Sequence, residues 1–446
     1  MKAGAMQGFD NGRRATTTAR VGAVVASLAV AVAATIVGFP AANAADGPVP
    51  GGYRVVAREA LEPGVDHLTL RQDQPGQNVH VARLAPGVAT RLRPVLSSDV
   101  LSGPAAGPET TSSMCGRVRC VLAVNGDFMG SGGALVGSMV SRGELITTPG
   151  IPHAQLNLSA SGRATFGEGL DFRAQVTTPD GQSLGVQRVN RPLLDGGVNL
   201  YSRRFGPSTL TAPGTTEVIL QLPSAAVLPS GPTAVRAVTL QSGGNTSIGA
   251  GQVVLAGRGA GAQAVTAFAQ RAVQGASLVV QTAALQSTGG SPQLLAGGQV
   301  AYPSGNRDAF TQSRFPRTMV GTTAAGETLL VTVDGRQNGS SGFTLLEATN
   351  FMAGLGAVDA INLDGGGSTT FVTGGTVRNK PSDGSERRVV SALALVPPAQ
   401  AGTLPAQVPS EPRATPTDPA SVLPNLVNSL LQPVLNLLSG QPQPTG

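Results

Sequence analysis

Glycine and proline punctuate this chain so densely that its regular elements have to be short. The 446 residues include 60 Gly and 33 Pro, with only 13% charged residues, a mix that favours turns, brief strands and surface loops. Between Tyr53 and Leu96 apolar and polar residues alternate in short pieces, as in Asn78-Val79-His80-Val81-Ala82-Arg83, each ended by Gly or Pro. A period of two is the mark of a strand, and the succession predicts a meander. Val121 to Asn125 reads as another apolar strand, running into Asn125-Gly126-Asp127-Phe128, and Gly130 to Gly137 as a glycine-rich loop. Residues 150–260 read as further β-structure with Pro-Gly turns, including Glu217 to Leu220 and Gln252 to Leu255, without a repeat of fixed length. At 41% apolar the chain can fill a sizeable core, in two or three domains or in one with insertions.

Helical spacing emerges in two places. Ala260 to Gly275 carries Ala, Val and Phe at that spacing and is followed by a strand at Ser277 to Gln281. Further on, Leu329 to Val333 reads as a buried strand, Thr344 to Leu355 as a helix with Leu345, Ala348, Met352 and Leu355 on one face, and Val358 to Leu363 as a strand. Strand, helix and strand in that order predict a crossover unit. The fold class expected is therefore α+β: a strand-rich mixed sheet whose β-α-β crossover carries the site, plus a β-rich insertion at about 150–260.

Both termini stand apart in composition. Lys2, Arg13, Arg14 and Arg20 precede an uncharged run from Val21 to Phe39 and the small-residue triplet Ala42-Asn43-Ala44. This predicts a signal peptide over 1–44, cleaved near Ala44, and hence a secreted or cell-envelope protein. Without that segment the charge falls from +6 to +3, and no Arg/Lys run or aromatic interleaving marks a nucleic-acid partner. Cys115 and Cys120 are the only cysteines; in an exported chain they are expected to pair, across a non-helical stretch around Gly116. His67, His80 and His153 show no metal-ligand spacing. After Val396 the Pro-, Ala-, Gln- and Thr-rich tail, 397–446, is expected to be disordered. Its apolar segment Val422 to Leu438 suggests weak contact with a membrane, the envelope or a partner; Pro433 argues against a span.

The chemistry concentrates where the crossover strands end. Residues just past parallel strands emerge at one sheet edge, which would make Asp334 and Asp364 neighbours. Each precedes glycine, in Asp334-Gly335-Arg336 and Asp364-Gly365-Gly366-Gly367-Ser368. Missing Cβ atoms admit a ligand to the backbone and let successive amides turn toward an anion. A carboxylate pair beside such a nest suits cleavage of a sugar phosphate. Asp-Gly at a strand end is also a common turn signal, which is the plain alternative for Asp334.

The string Val-Asp-Ala-Ile-Asn-Leu-Asp-Gly-Gly-Gly-Ser-Thr-Thr at 358–370 resembles the signature of the phosphodiester glycosidase family. Val-Asn-Gly-Asp-Phe at 124–128, Leu-Ala-Gly-Gly at 295–298, Pro-Arg-Thr at 316–318, Val-Asp-Gly-Arg at 333–336 and Asn-Lys-Pro-Ser-Asp-Gly-Ser-Glu-Arg-Arg at 379–388 follow in the family's order. The likeness runs over roughly 53–396, best in 295–396, within a domain placed at 45–396. It implies hydrolysis of the bond between an anomeric carbon and phosphate. Asp364 would be nucleophile or general base, and Asp127 or Asp334 would polarise water or stabilise an oxocarbenium-like state. Arg317, Arg336 and Arg387 would hold the phosphodiester, with Gly365, Gly366, Gly367, Ser368, Asn125 and Asp383 lining the substrate. Asn125 and Ser368 have the alternative of satisfying local backbone, and Asp383 that of a type I turn. Met129 and Ser391 depart from the family's aromatic and Asn, which bears on the sugar subsite. No cofactor is firmly implied. The rival readings are a non-catalytic binder of phosphorylated cell-surface glycans, a phosphodiesterase using a divalent cation, and a structural envelope role.

Overall fold

The computed structural model describes residues 47–130, 133–223, 228, 231–302 and 308–400. The leader expected at 1–44 and residues 401–446 of the tail, including Val422 to Leu438, lie outside the described residues.

The alternating segment after Tyr53 forms the expected meander, Arg54–Glu62, Val65–Asp73 and Gly76–Leu84, all antiparallel. It opens an eight-stranded sheet that continues through Thr328–Val333, Arg317–Thr323 and Ala357–Asn362. A five-stranded sheet, with Leu122–Asn125 at its centre between Phe371–Thr373 and Ser391–Leu395, packs on the first. The two share one apolar cluster: Ala82, Leu84, Val320, Leu330 and Ile361 meet Leu122, Val124, Phe371, Leu393 and Leu395. Side chains alternate across a strand, so Val79, Val81, Val331 and Val333 point the other way, onto the helix Leu345–Gly354. That helix starts where the sequence provides a cap. Thr344 Oγ1 accepts from Glu347 N and the Glu347 carboxylate accepts from Thr344 N, a closed capping box, an arrangement in which the Thr cap alone contributes about 1 kcal/mol. Leu345, Ala348, Met352 and Leu355 are all buried beneath it, as their spacing predicts.

The crossover is not formed as expected. Arg317–Thr323 lies between Thr328–Val333 and Ala357–Asn362 and runs antiparallel to both. The Pro-Arg-Thr string therefore begins a strand that hairpins directly into its sequence neighbour through a turn closed by Gly326 at φ 83°. A short local hairpin satisfies both edges at little loop-closure cost. Asp334 and Asp364 thus end strands that are not hydrogen-bonded partners, with backbones about 10 Å apart at the usual strand spacing.

Residues 172–282 build a further curled eight-stranded sheet, which includes Gly231–Ser242, Thr216–Gln221, Gln252–Gly257 and Ala276–Thr282. Helix Ala260–Arg271 buries Val265 and Phe268 against Val218, Leu220 and Leu255 of this sheet. A smaller sheet, with Ala154–Leu158, Gln286–Gly290 and Met139–Ser141 at its centre, carries residues that reach the site. Cys115 and Cys120 are joined as expected, with Cα atoms 4.9 Å apart. The break is not at Gly116, which stays inside helix Thr111–Val118; it comes at Arg119, whose left-handed φ of 49° ends the helix and turns the chain back.

Candidate active site

Backbone pairing brings the Asp127 and Asp364 turns into register. Asp364 N donates to Gly126 O at 3.1 Å, and Gly126 N donates to Ser391 O at 2.9 Å. Asn125, fully buried, clamps the junction: its Nδ2 donates to Asp364 O at 2.7 Å, and its Oδ1 accepts from Thr318 Oγ1 at 2.7 Å and Thr370 N at 3.1 Å. The geometry makes Asn125 a brace between both sheets rather than a side chain presented to a sugar. Ser391 Oγ accepts from Asp127 N at 3.1 Å, so this departure from the family pattern acts on the Asp127 turn.

Asp127 is only 1% exposed. Its Oδ1 accepts from Phe128 N at 2.8 Å and contacts His153 Nε2 at 3.0 Å, while its Oδ2 accepts from Gly137 N at 2.7 Å. Glycines make that fit possible, since a Cβ on either Gly137 or Gly289 would stand 2.5 Å from Asp127 Oδ2. Behind the loop, buried Arg191 donates to the carbonyls of Leu135, Val136, Gly137 and Thr148. Burial pushes its pKa down to about 9, partly offset by the Asp127 charge. The Phe128 ring meets His153 edge-on at 5.7 Å.

Asp364 keeps partial solvent access although protein surrounds it densely. Burial raises its pKa to about 6, and the negative charge of Asp127 adds to the rise, against Ser368, the Gly365 amide and the Arg387 charge. Ser368 Oγ lies close enough to favour the charged carboxylate but makes no hydrogen bond of regular geometry. The ring of inward amides expected of the glycines is not formed. Gly365 N donates to Asp364 Oδ1, Gly366 N to Pro316 O, Ser368 N to Gly365 O and Thr369 N to Gly366 O. What the glycines provide is room. Gly366 takes φ 60° with the Arg336 guanidinium nitrogens 3.6 Å from its Cβ position, and a Cβ on Gly367 would collide with Asp383 and Arg387. Those two side chains form an ion pair of 2.6 Å over the turn.

Three expected residues sit differently from one another. Asp334 is 2% exposed; Asn78 Nδ2 donates to its Oδ2 at 2.7 Å, and Asn379 Nδ2 and Lys380 N to its Oδ1 at 3.2 and 3.0 Å. Burial raises its pKa while these donors lower it, and it ties the 379–380 loop to the meander. Arg317 is buried, with its pKa pushed down to about 10 by desolvation. It donates to the carbonyls of Phe343, Phe310 and Ser313 and lies 4.6 Å over the Phe310 ring. Arg336, by contrast, is exposed and stacks on Phe315 at 4.9 Å, with no hydrogen bond or ion pair among the described residues. The site thus gathers Asp127, Asp364, Gly365, Gly366, Gly367, Ser368, Arg336, Asp383 and Arg387. Asp334, Arg317 and Asn125 are its struts.

Sequence reasoning missed His153, Arg191, Gly137 and Gly289. His153 has no ligand spacing in the sequence, and its link to Asp127 spans 26 residues with no local pattern to announce it.

A phosphodiester glycosidase family model matches residues 223–396. Over 80 residues the chain is 42% identical to the N-acetylglucosamine-1-phosphodiester alpha-N-acetylglucosaminidase of Bos taurus, a match covering 18% of this chain and 15% of that protein. It therefore spans about one seventh of the length of this curated relative. A hypothetical protein from Synechocystis shares the fold, with a TM-score of 0.60 at 21% identity over 76% of this chain and 63% of that one. A Burkholderia pseudomallei protein gives 0.54 at 25% identity over 74% of each. The matched segment contains Arg317, Asp334, Arg336, Asp383, Arg387 and the whole Asp364 turn, so the likeness of this chain to the phosphodiester glycosidase family falls on residues 223–396.

Proposed function

We propose that the protein is a secreted hydrolase that cleaves the glycosidic bond between a sugar's anomeric carbon and phosphate in a sugar 1-phosphodiester. The observation that carries this reading is the Asp364 carboxylate, raised to about 6, in the family's turn beside buried Asp127. Two carboxyl groups in unlike surroundings divide the roles of a glycosidase. Asp364, the one open to solvent, acts as nucleophile or general base. Asp127, held by His153 and two amides, supplies fixed negative charge for an oxocarbenium-like state. Arg336 and Arg387 bind the phosphate of the diester; when the anomeric C–O bond breaks it leaves as a phosphate monoester anion, and so needs little acid assistance. Export rests on the leader expected at 1–44.

The test is turnover of a sugar 1-phosphodiester by the purified protein in ¹⁸O water, with and without chelator. Label in the free sugar is the expected result. Label in phosphate means P–O cleavage and ends the glycosidase reading, and absence of turnover across several sugars supports a binding protein instead.

A further inference from the structure

The helix Thr111–Val118 stands at the back of the loop that carries Asp383 and Arg387. A helix leaves its first amides without internal acceptors, and here two of them are met in different ways. Ser113 N donates to the capping Thr110 Oγ1 at 3.1 Å. Ser112 is met from a distant segment: its N donates to Glu386 Oε1 at 2.7 Å and its Oγ to Glu386 Oε2 at 2.5 Å. Both carboxylate oxygens are thus engaged by one residue at the positive end of the helix, where a negative charge is favoured. The helix itself is firmly seated. Met114, Cys115 and Val118 are buried in an apolar cluster with Ala123, Val372, Val389 and Ala394, and the Cys115–Cys120 bond ties down its last turn.

Glu386 and Arg387 are neighbours in the chain and reach in different directions. Glu386 goes to the helix, while the Arg387 guanidinium lies over Gly367, where a Cβ would collide with it. What holds Arg387 in place is the question. Its Nε donates to Asp383 Oδ2 at 2.8 Å, but the two belong to the same loop and both are well exposed, and an exposed ion pair contributes about 0–1 kcal/mol. That pair moves with the loop. The ties to the rest of the molecule lie on either side of Arg387: Glu386 on Ser112, and the pairing of Arg388 and Val389 with Thr110 and Glu109, with Arg388 Nη1 on Pro108 O at 3.2 Å.

We propose that Glu386 is a positioning residue for phosphate binding: anchored on Ser112 at the helix N-terminus, it holds Arg387 over Gly367 of the Asp364 turn. A guanidinium fork binds phosphate well only when its direction is set beforehand, and Glu386 sets it without touching the ligand. The inference rests on the reading of Arg387 as a phosphate contact and adds what fixes that contact.

Inorganic phosphate is the probe, titrated by calorimetry into the full chain. Glu386→Ala is expected to weaken saturable binding about 3–10-fold. Glu386→Gln, whose amide can still accept from Ser112 N and donate to Ser112 Oγ, should stay within about 2-fold of the wild type. The deciding measurement is the cycle with Arg387→Gln: once Arg387 is gone, Glu386→Ala should change affinity by less than about 2-fold, since both substitutions remove one interaction. If Glu386→Ala does not fold, Ser112→Ala, which removes one of the two contacts, is put through the same cycle, with a loss of about 2–4-fold expected. An effect that persists in full without Arg387, a Gln variant no better than Ala, unchanged affinity, or absence of saturable phosphate binding would overturn the proposal. Phosphate affinity is read without turnover, so a protein that shows this coupling and cleaves no sugar 1-phosphodiester keeps the inference and loses only the hydrolase reading.

Discussion

Asp334 and Asp364 begin alike and finish as opposites. Each closes a strand of the same sheet and is followed by glycine, and burial raises the pKa of each. Around Asp334, donors from Asn78, Asn379 and Lys380 saturate both oxygens. Around Asp364, the only regular hydrogen bond to the carboxylate among the described residues comes from its own turn, and a second acid, Asp127, stands near enough to oppose its ionisation. One carboxylate is a brace held on both oxygens, and the other stays partly open to solvent beside a second acid. The difference lies in what distant segments deliver to them, since Asn78 and Asn379 serve one while Asp127 and Arg387 serve the other.

The sharpest break in this comparison is Asp364→Asn, which should cost about 10²–10⁴-fold in kcat while the fold persists. In the wild type, kcat/KM should rise with pH through about 6 as Asp364 ionises. Because its folded pKa is raised, the native state holds the proton more tightly than the unfolded chain. That stabilising contribution is complete below the ordinary aspartate value and is lost as pH climbs through about 6. The Asn variant should therefore melt at or above the wild type at pH 8, and below it or level with it at pH 4. A variant with full activity would remove Asp364 from the chemistry.

Gly289→Ala probes what Asp364 has and Asp334 lacks. Its Cβ would stand 2.5 Å from Asp127 Oδ2 and displace the second acid, so kcat should drop about 10²-fold for a shift near 1 Å. An unchanged kcat would show that Asp127's placement is immaterial.

Asp334→Asn should act on stability rather than on the pH profile. An amide in place of the carboxylate turns its own N–H group toward donors from Asn78, Asn379 or Lys380, a loss of about 1–3 kcal/mol measurable by urea denaturation. The limb near pH 6 should remain. Stability would then move in opposite directions for the two aspartates, and a stable, inactive Asp334→Asn would put Asp334 back among the reacting groups. The smallest effect expected is from Arg336→Gln, a rise in KM of about 3–10-fold with kcat little changed, since an exposed guanidinium contributes mainly to uniform phosphate binding.

Much of the architecture was legible locally. Alternation at 78–83 and the capped apolar face of 344–355 each report a balance between neighbours a few residues apart, and both formed as read. The crossover was not, because the strand at 317–323 opens with a motif string that reads as a site and not as an inner strand. Cysteine pairing is the expectation for two lone cysteines behind an expected leader, while the position of the helix break depended on Arg119 accepting a left-handed backbone.

For the site, the sequence by itself determined the chemical inventory: which turns lack Cβ atoms, which carry carboxylates, and that Arg336 and Arg387 accompany them. Tertiary structure alone decided the roles. Whether an aspartate is saturated by donors, faced by another acid or open to water depends on segments up to 264 residues away, such as Ser391 against Asp127. Hydrogen-bond partners and desolvation, which set the proton affinity of a carboxylate, are properties of that assembled surrounding and have no local signature in the chain.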